Sequence, residues 1–181
     1  MKVVGSSGPS ANGDKFDYLW PEMKRIGVDL VDEHYYMNPD WFFGNASRYD
    51  NYDRKGPKVF AGEYASHDHS TKKDNNFLAA LSEAAFMTGL ERYATAALNA
   101  PTGEIILKLV NASSKPADVQ IDFNGLKKRQ LVAGSYTYLQ NDNWRTVNTL
   151  DQEAIVPRVR PVQVEGQSLK LKLEPRSFGN L

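Results

Sequence analysis

The chain has 181 residues, with 22 Lys plus Arg against 22 Asp plus Glu, so its formal net charge is zero. That balance gives no electrostatic case for nucleic acid or an anionic membrane surface. No apolar run approaches a membrane span, and the absence of cysteine removes disulfides and thiolate metal sites while leaving the compartment open. The sequence therefore reads as a soluble protein of one domain or two small ones. Its amino terminus, Met-Lys-Val-Val-Gly-Ser-Ser-Gly-Pro, lacks the apolar core of a signal peptide.

Val3-Val4 signals a short strand, followed by loop chemistry at Gly5-Ser6-Ser7-Gly8-Pro9. Phe16, Leu19, Trp20, Met23 and Ile26 recur at helical spacing. They predict a helix over 14–25 that starts or kinks near Trp20-Pro21 and ends at Gly27. Val28 to Tyr36 predicts a second strand. Its side chains alternate, so Asp32, His34 and Tyr36 share one face at the carboxyl end. A His and a Tyr so placed can hydrogen-bond a neighbouring carboxylate and favour its charged form. They also fit as packed structural residues.

Residues 37–56 form a long connection in which Pro39-Asp40 opens a short helical turn carrying Trp41 and Phe42. Aromatics in such a loop fit either stacking on a sugar ring or plugging the loop onto the core. Lys58 to Ala65 predicts a third strand. Its Val59-Phe60-Ala61 run has no polar face, as in a parallel strand buried on both sides, and it ends in Gly62-Glu63-Tyr64. A carboxylate there is costly unless paired, hydrated or used, and barrels of parallel strands place their chemistry at strand carboxyl ends. Glu63 is the candidate working carboxylate; the alternative is that it opens a solvated loop. His67-Asp68-His69 lacks the helical repeat of a zinc motif and has no further ligand cluster, so no metal site is predicted. Residues 75–92 predict the strongest helix, with Phe77, Leu81, Ala84, Ala85 and Thr88 on one face and Asp74 or Asn75 as its cap.

This βα order is the grammar of a parallel α/β layer or barrel. From about Ala94 the pattern changes to strand signals at Glu104–Val110, Asp118–Phe123, Leu131, Tyr136–Leu139, Pro161–Val164 and Leu169–Leu173. They predict a β-sandwich module over 94–181.

Val-Asp-Glu-His-Tyr-Tyr at 31–36, Gly62-Glu63-Tyr64-Ala65 and the Asn75–Arg92 helix resemble the α-L-arabinofuranosidases of glycoside hydrolase family 51. The Gly103–Asn111 strand and Glu174-Pro175-Arg176-Ser177-Phe178 resemble that family's carboxyl-terminal β-sandwich domain. The resemblance implies an α/β plus all-β chain: a partial (β/α)8 barrel segment of about three βα units over 1–93, then an antiparallel β-sandwich over 94–181. It implies a retaining glycosidase that releases terminal arabinofuranosyl groups from arabinan or arabinoxylan. Glu63 matches the nucleophile, His34 and Tyr36 lie beside it, and Tyr64 and Trp41 are expected near the sugar. No cofactor is implied, the partner is an arabinose-containing polysaccharide or oligosaccharide, and the parent protein is expected outside the cytoplasm, extracellular or periplasmic.

The sequence also departs from the family pattern. Retention needs a second carboxyl about 5–5.5 Å from the nucleophile. The family's acid/base glutamate lies in a Gly-Asn-Glu motif, and the nearest string here, Gly44-Asn45-Ala46, has no carboxylate. Glu33 points to the face opposite His34, and neither Glu33 nor Asp32, both inside the family motif, is expected to replace the missing acid. The expectation is a truncated, internally deleted carboxyl-terminal portion that is inactive or incomplete by itself. The alternatives are a non-catalytic carbohydrate-binding or structural remnant, and a segment that joins a complementary chain. Open strand edges would favour a homo-oligomer.

Overall fold

The computed structural model describes residues 1–69, 75–90, 97–99, 101–126 and 131–181. Three strands, β1 (Val4–Ser6), β2 (Leu30–Met37) and β3 (Lys58–Ser66), form a parallel sheet in that order. Helix α1 (Asp14–Ile26) links β1 to β2, with Asp14 and Asp17 in its first turn and Lys24 and Arg25 in its last, each complementing the helix dipole. Gly27, at φ 75°, ends it: the Gly27 N–H donates to the Lys24 carbonyl and the Val28 N–H to Met23. Those are the paired bonds of a Schellman turn. The helix runs through Pro21 rather than starting there. The bond Pro21 removes is to the Asp17 carbonyl, and both residues are exposed, so water reaches the freed oxygen.

Strand β3 differs from its expected two-sided burial. Among the described residues it lies at the edge of the sheet, and its side chains alternate between half-buried Val59 and Ala61 and a Phe60 that is 51% exposed. The cause is that helices α2 (Pro39–Gly44) and α3 (Phe77–Leu90) pack on one face of the sheet only. On that face Tyr35, Phe42 and Phe86 are fully buried, and Phe86 meets Tyr35 and Phe42 edge-on at 5.3 Å. Asn38 caps α2 by accepting the Trp41 N–H at 2.9 Å.

The cap of α3 is Asn76, which accepts the Ala79 N–H at 3.0 Å, and not Asn75; Asp74 and Arg92, expected at this helix's ends, lie outside the described residues. Asn76 prevails because its own amide is held by Asp68 at 2.7 Å. Phe77 and Leu81 are buried as the helical spacing predicts, but Ala79, Ser82 and Phe86 are buried too. Two neighbours explain the wider stripe. Phe86 faces α2, while Phe77 stacks on Phe178 at 6.0 Å.

The remaining strands are antiparallel. β4 (Ala97–Asn99) pairs with β5 (Glu104–Ile106). β6 (Lys108–Asn111), β12 (Ser177–Asn180), β8 (Gly134–Gln140) and β9 (Arg158–Val162) form a four-stranded sheet in the order β6-β12-β8-β9. β7 (Ala117–Asp122), β11 (Ser168–Leu173) and β10 (Val164–Glu165) form a second, ordered β10-β11-β7. Both contribute to one core: Tyr136 and Val162 from the first, Leu169, Leu171 and Leu173 from the second. The expected strand at 104–110 is two strands, because Leu107 turns its N–H and carbonyl to Leu181 between them. Likewise Pro161–Val164 spans β9 and β10, which belong to different sheets, and Leu131 is in no strand.

At the middle of β2 the fully buried Glu33 carboxylate accepts from five donors: Trp20 Nε1 (2.6 Å), Tyr52 (3.1 Å), Tyr35 (2.7 Å), Tyr49 (3.0 Å) and Arg48 Nε (3.3 Å). The Tyr35 and Tyr49 hydroxyls also lie against each other. The Arg48 guanidinium lies over the Phe16, Tyr35 and Trp41 rings at 5.1–5.7 Å, and donates to the Ala11 carbonyl at 2.7 Å. Removing Glu33 strands a largely buried guanidinium, so Glu33→Ala is expected to cost about 3–5 kcal/mol of stability. Denaturant unfolding measures it, and a loss near that of a surface Glu→Ala would refute the role.

Burial raises the phenols of Tyr35 and Tyr52 well above their ordinary range, and the Glu33 charge adds to it. Their contribution to stability is complete below the unfolded phenol pKa of about 10 and is lost as pH rises above it, since the unfolded chain ionises first. Tyrosinate absorbance of the folded protein should therefore show two phenols silent until the chain unfolds in alkali. Ordinary titration of all nine tyrosines would contradict this.

Candidate active site

The two faces of β2 carry different chemistry. Val31, Glu33 and Tyr35 are buried toward the helices, and Asp32, His34 and Tyr36 stand on the other face. β3 meets this second face through a bulge. Glu33 is opposite Ala61 and His34 is opposite Glu63, so Gly62 is inserted without a partner. The bulge keeps Glu63 on the face of His34; were β3 paired straight through Gly62, Glu63 would oppose Tyr35 and point toward the helices.

Glu63, His34 and Tyr36 thus stand together on one face. The Tyr36 hydroxyl donates to Glu63 Oε2 at 2.9 Å, and His34 Nδ1 lies 3.6 Å from the same oxygen. Both contacts converge on Oε2, so Oε1 carries neither. The Glu63 side chain is 55% exposed, whereas His34 is only 19% exposed. Its bond to Glu63 holds the Tyr36 phenol above its ordinary range. A solvated carboxylate oriented through one oxygen, with the other open, can act as a nucleophile.

Trp41 and Tyr64 are not brought to Glu63. Trp41 stacks on Tyr35 at 5.7 Å and meets Phe86, which places it with the helices on the opposite face. Tyr64 follows Glu63 in the strand and therefore points the other way, its hydroxyl 3.2 Å from Met87 Sδ on α3. His67 lies against Tyr36 with ring centroids 5.8 Å apart, and Asp68 accepts from Asn76. Among the described residues no group of three or more His, Cys, Asp or Glu side chains could hold a metal ion.

Sequence reasoning gave no role to Asp32 and Gly62, which the structure joins to the cluster. Asp32 Oδ2 lies 2.9 Å from His34 Nε2, and Asp32 Oδ1 accepts the Gly62 N–H at 3.1 Å. The signal for Gly62 was available: a glycine inside a strand often marks a bulge or a close approach.

No family model matches the chain. Among curated proteins, 94 residues covering 52% of the chain are 54% identical to an extracellular exo-α-L-arabinofuranosidase of Streptomyces chartreusis. A 65-residue stretch is 44% identical to α-L-arabinofuranosidase 2 of Arabidopsis thaliana. These matches cover 11% and 10% of the two relatives, so the chain spans about a tenth of their length. Among solved structures, an arabinose-bound family 51 α-L-arabinofuranosidase superposes over 99% of this chain and 39% of its own, with a TM-score of 0.76 at 18% identity. A family 51 enzyme of Bifidobacterium longum gives 0.70 at 11% identity, over 99% of this chain and 58% of its own. In sequence over about half of its length, and in fold over nearly all of it, the chain resembles the α-L-arabinofuranosidases of glycoside hydrolase family 51.

Proposed function

We propose that this chain carries the nucleophile half of a retaining α-L-arabinofuranosidase site, acting on terminal arabinofuranosyl groups of arabinan or arabinoxylan. The observation behind the reading is Glu63 at the carboxyl end of a parallel strand, bonded through Oε2 to Tyr36 and flanked by His34. In the same proposal residues 1–93 are about three units of a (β/α)8 barrel and residues 94–181 its β-sandwich companion. The extracellular Streptomyces relative supports a setting outside the cell. No helix among the described residues is long and apolar enough to cross a membrane. Trp41 and Tyr64 are not part of the proposed sugar site, since both face the helices.

Glu63 attacks the anomeric carbon with its free oxygen, the bond to the leaving oxygen breaks, and a glycosyl ester forms that water then hydrolyses. Protonation of the leaving oxygen needs a second carboxyl. Glu33 is buried on the other face, and Asp32 is engaged by His34 and Gly62. That favours a second reading, a non-catalytic carbohydrate-binding or structural module.

A leaving group that departs as a stable anion separates the two readings, because it needs little acid assistance. A chromogenic nitrophenyl α-L-arabinofuranoside is expected to give a stoichiometric burst that disappears in Glu63→Ala. Arabino-oligosaccharides, with poor leaving groups, should react at least ~100-fold more slowly, the low end of what a general acid contributes. Equal release by both proteins would overturn the catalytic reading and leave the non-catalytic one.

A further inference from the structure

We infer that Asp32 is the positioning residue of this cluster: it fixes which nitrogen of His34 faces Glu63, and it holds the bulge that aims Glu63. The functional meaning rests on the proposed role of Glu63; the geometry does not.

Asp32 ties all three parallel strands together at one level. Its main-chain carbonyl accepts from the Ser7 N–H at 3.0 Å and the Ser7 hydroxyl at 2.9 Å, just beyond β1, and Ser7 is fully buried. Its two carboxylate oxygens then serve different partners, Oδ1 the Gly62 N–H on β3 and Oδ2 the His34 ring on its own strand. A Cβ at position 62 would collide with Asp32 Oδ1, so the close approach of backbone to carboxylate requires glycine there.

An ionised carboxylate only accepts hydrogen bonds, so the nitrogen of His34 beside Asp32 must carry the proton. That nitrogen is Nε2. In the neutral ring Nδ1 is then an acceptor, facing Glu63 Oε2 at 3.6 Å, beyond hydrogen-bond range. The donor to Glu63 is therefore Tyr36, and His34 acts as an oriented wall beside it. Without Asp32 the ring is free to exchange tautomers, the Gly62 amide loses its acceptor, and the bulge loses the contact that keeps Glu63 on this face.

The test is nitrogen-15 NMR of the histidine rings in the whole chain, at a pH where free imidazole is neutral. In the wild type, His34 should show a protonated Nε2 and an unprotonated Nδ1. In Asp32→Ala, both nitrogens should move to the averaged positions of a ring exchanging between tautomers, and the Gly62 amide proton should shift, with His67 as the internal reference. An Nδ1-protonated ring in the wild type, or an unchanged tautomer in Asp32→Ala, would overturn the inference. Should Asp32→Ala fail to fold, Asp32→Asn decides: it offers one acceptor oxygen in place of two, so the Gly62 amide or the His34 Nε2–H must leave its wild-type position. Both signals unmoved would refute the role. A Glu63→Ala protein that releases nitrophenol as well as the wild type removes the catalytic reading and leaves the tautomer result standing.

Discussion

A carboxylate without exposed surface needs donors on every side, and Glu33 draws them from across the first part of the chain. Trp20 comes from α1, Tyr35 from β2 itself, and Arg48, Tyr49 and Tyr52 from the turns after α2. Without these donors the carboxylate would be a buried unpaired charge, at a cost of several kcal/mol. This constraint decides which way β2 faces. Strand side chains alternate, so committing Glu33 to the helices commits Asp32, His34 and Tyr36 to the opposite face. A slip of one residue would exchange the two sets, exposing the Glu33 position and driving His34 into an aromatic core.

The neighbouring strand meets that fixed face by a different device. Straight pairing of β2 with β3 would set Glu63 against Tyr35, on the helix side of the sheet and away from His34 and Tyr36. Bulging Gly62 out of the pairing brings Glu63 opposite His34, and Asp32 occupies the space that a side chain at 62 would fill. Carboxylates therefore play three roles within two adjacent strands: Glu33 organises the packing, Asp32 holds the bulge, and Glu63 is left half in solvent. Environment separates them, since the residue types are nearly the same.

What could be read in the sequence follows from how local each cause is. The end of α1 at Gly27, the alternation of Leu169, Leu171 and Leu173 with Lys170 and Lys172, and the shared face of Asp32, His34 and Tyr36 depend on spacing alone, and each is present. The donors of Glu33 lie two to nineteen residues away with no common period, so no pattern announces them. The apolar run Val59-Phe60-Ala61 looks the same in an edge strand as in a central one, and only the placement of the helices leaves Phe60 exposed. The aromatic character of Trp41 and the family resemblance for Tyr64 suggested places near the sugar, but one strand alternation and one capped turn direct both toward α3 and its neighbours.

Helix α3 links the candidate site to the antiparallel sheets. The first N–H groups of a helix have no partner within it. In α3 those of Phe77 and Leu78 donate to the carbonyls of Thr146 and Trp144, in the loop between β8 and β9, at 2.9 and 2.7 Å. The same helix grips the end of β3: the Ser66 N–H donates to Glu83 at 2.7 Å and Ser82 bonds to Ser66 at 2.8 Å, three residues beyond Glu63. At its far end Gly89 lets the backbone of Ala46 approach where a Cβ would collide. Edge strands fray unless something restrains them, and β3 has a strand partner on one side only among the described residues. The restraint at its carboxyl end thus comes through α3 from the β8–β9 loop, so the strand that carries Glu63 is steadied by the antiparallel sheets even though none of their residues stands beside the carboxylate in its described contacts.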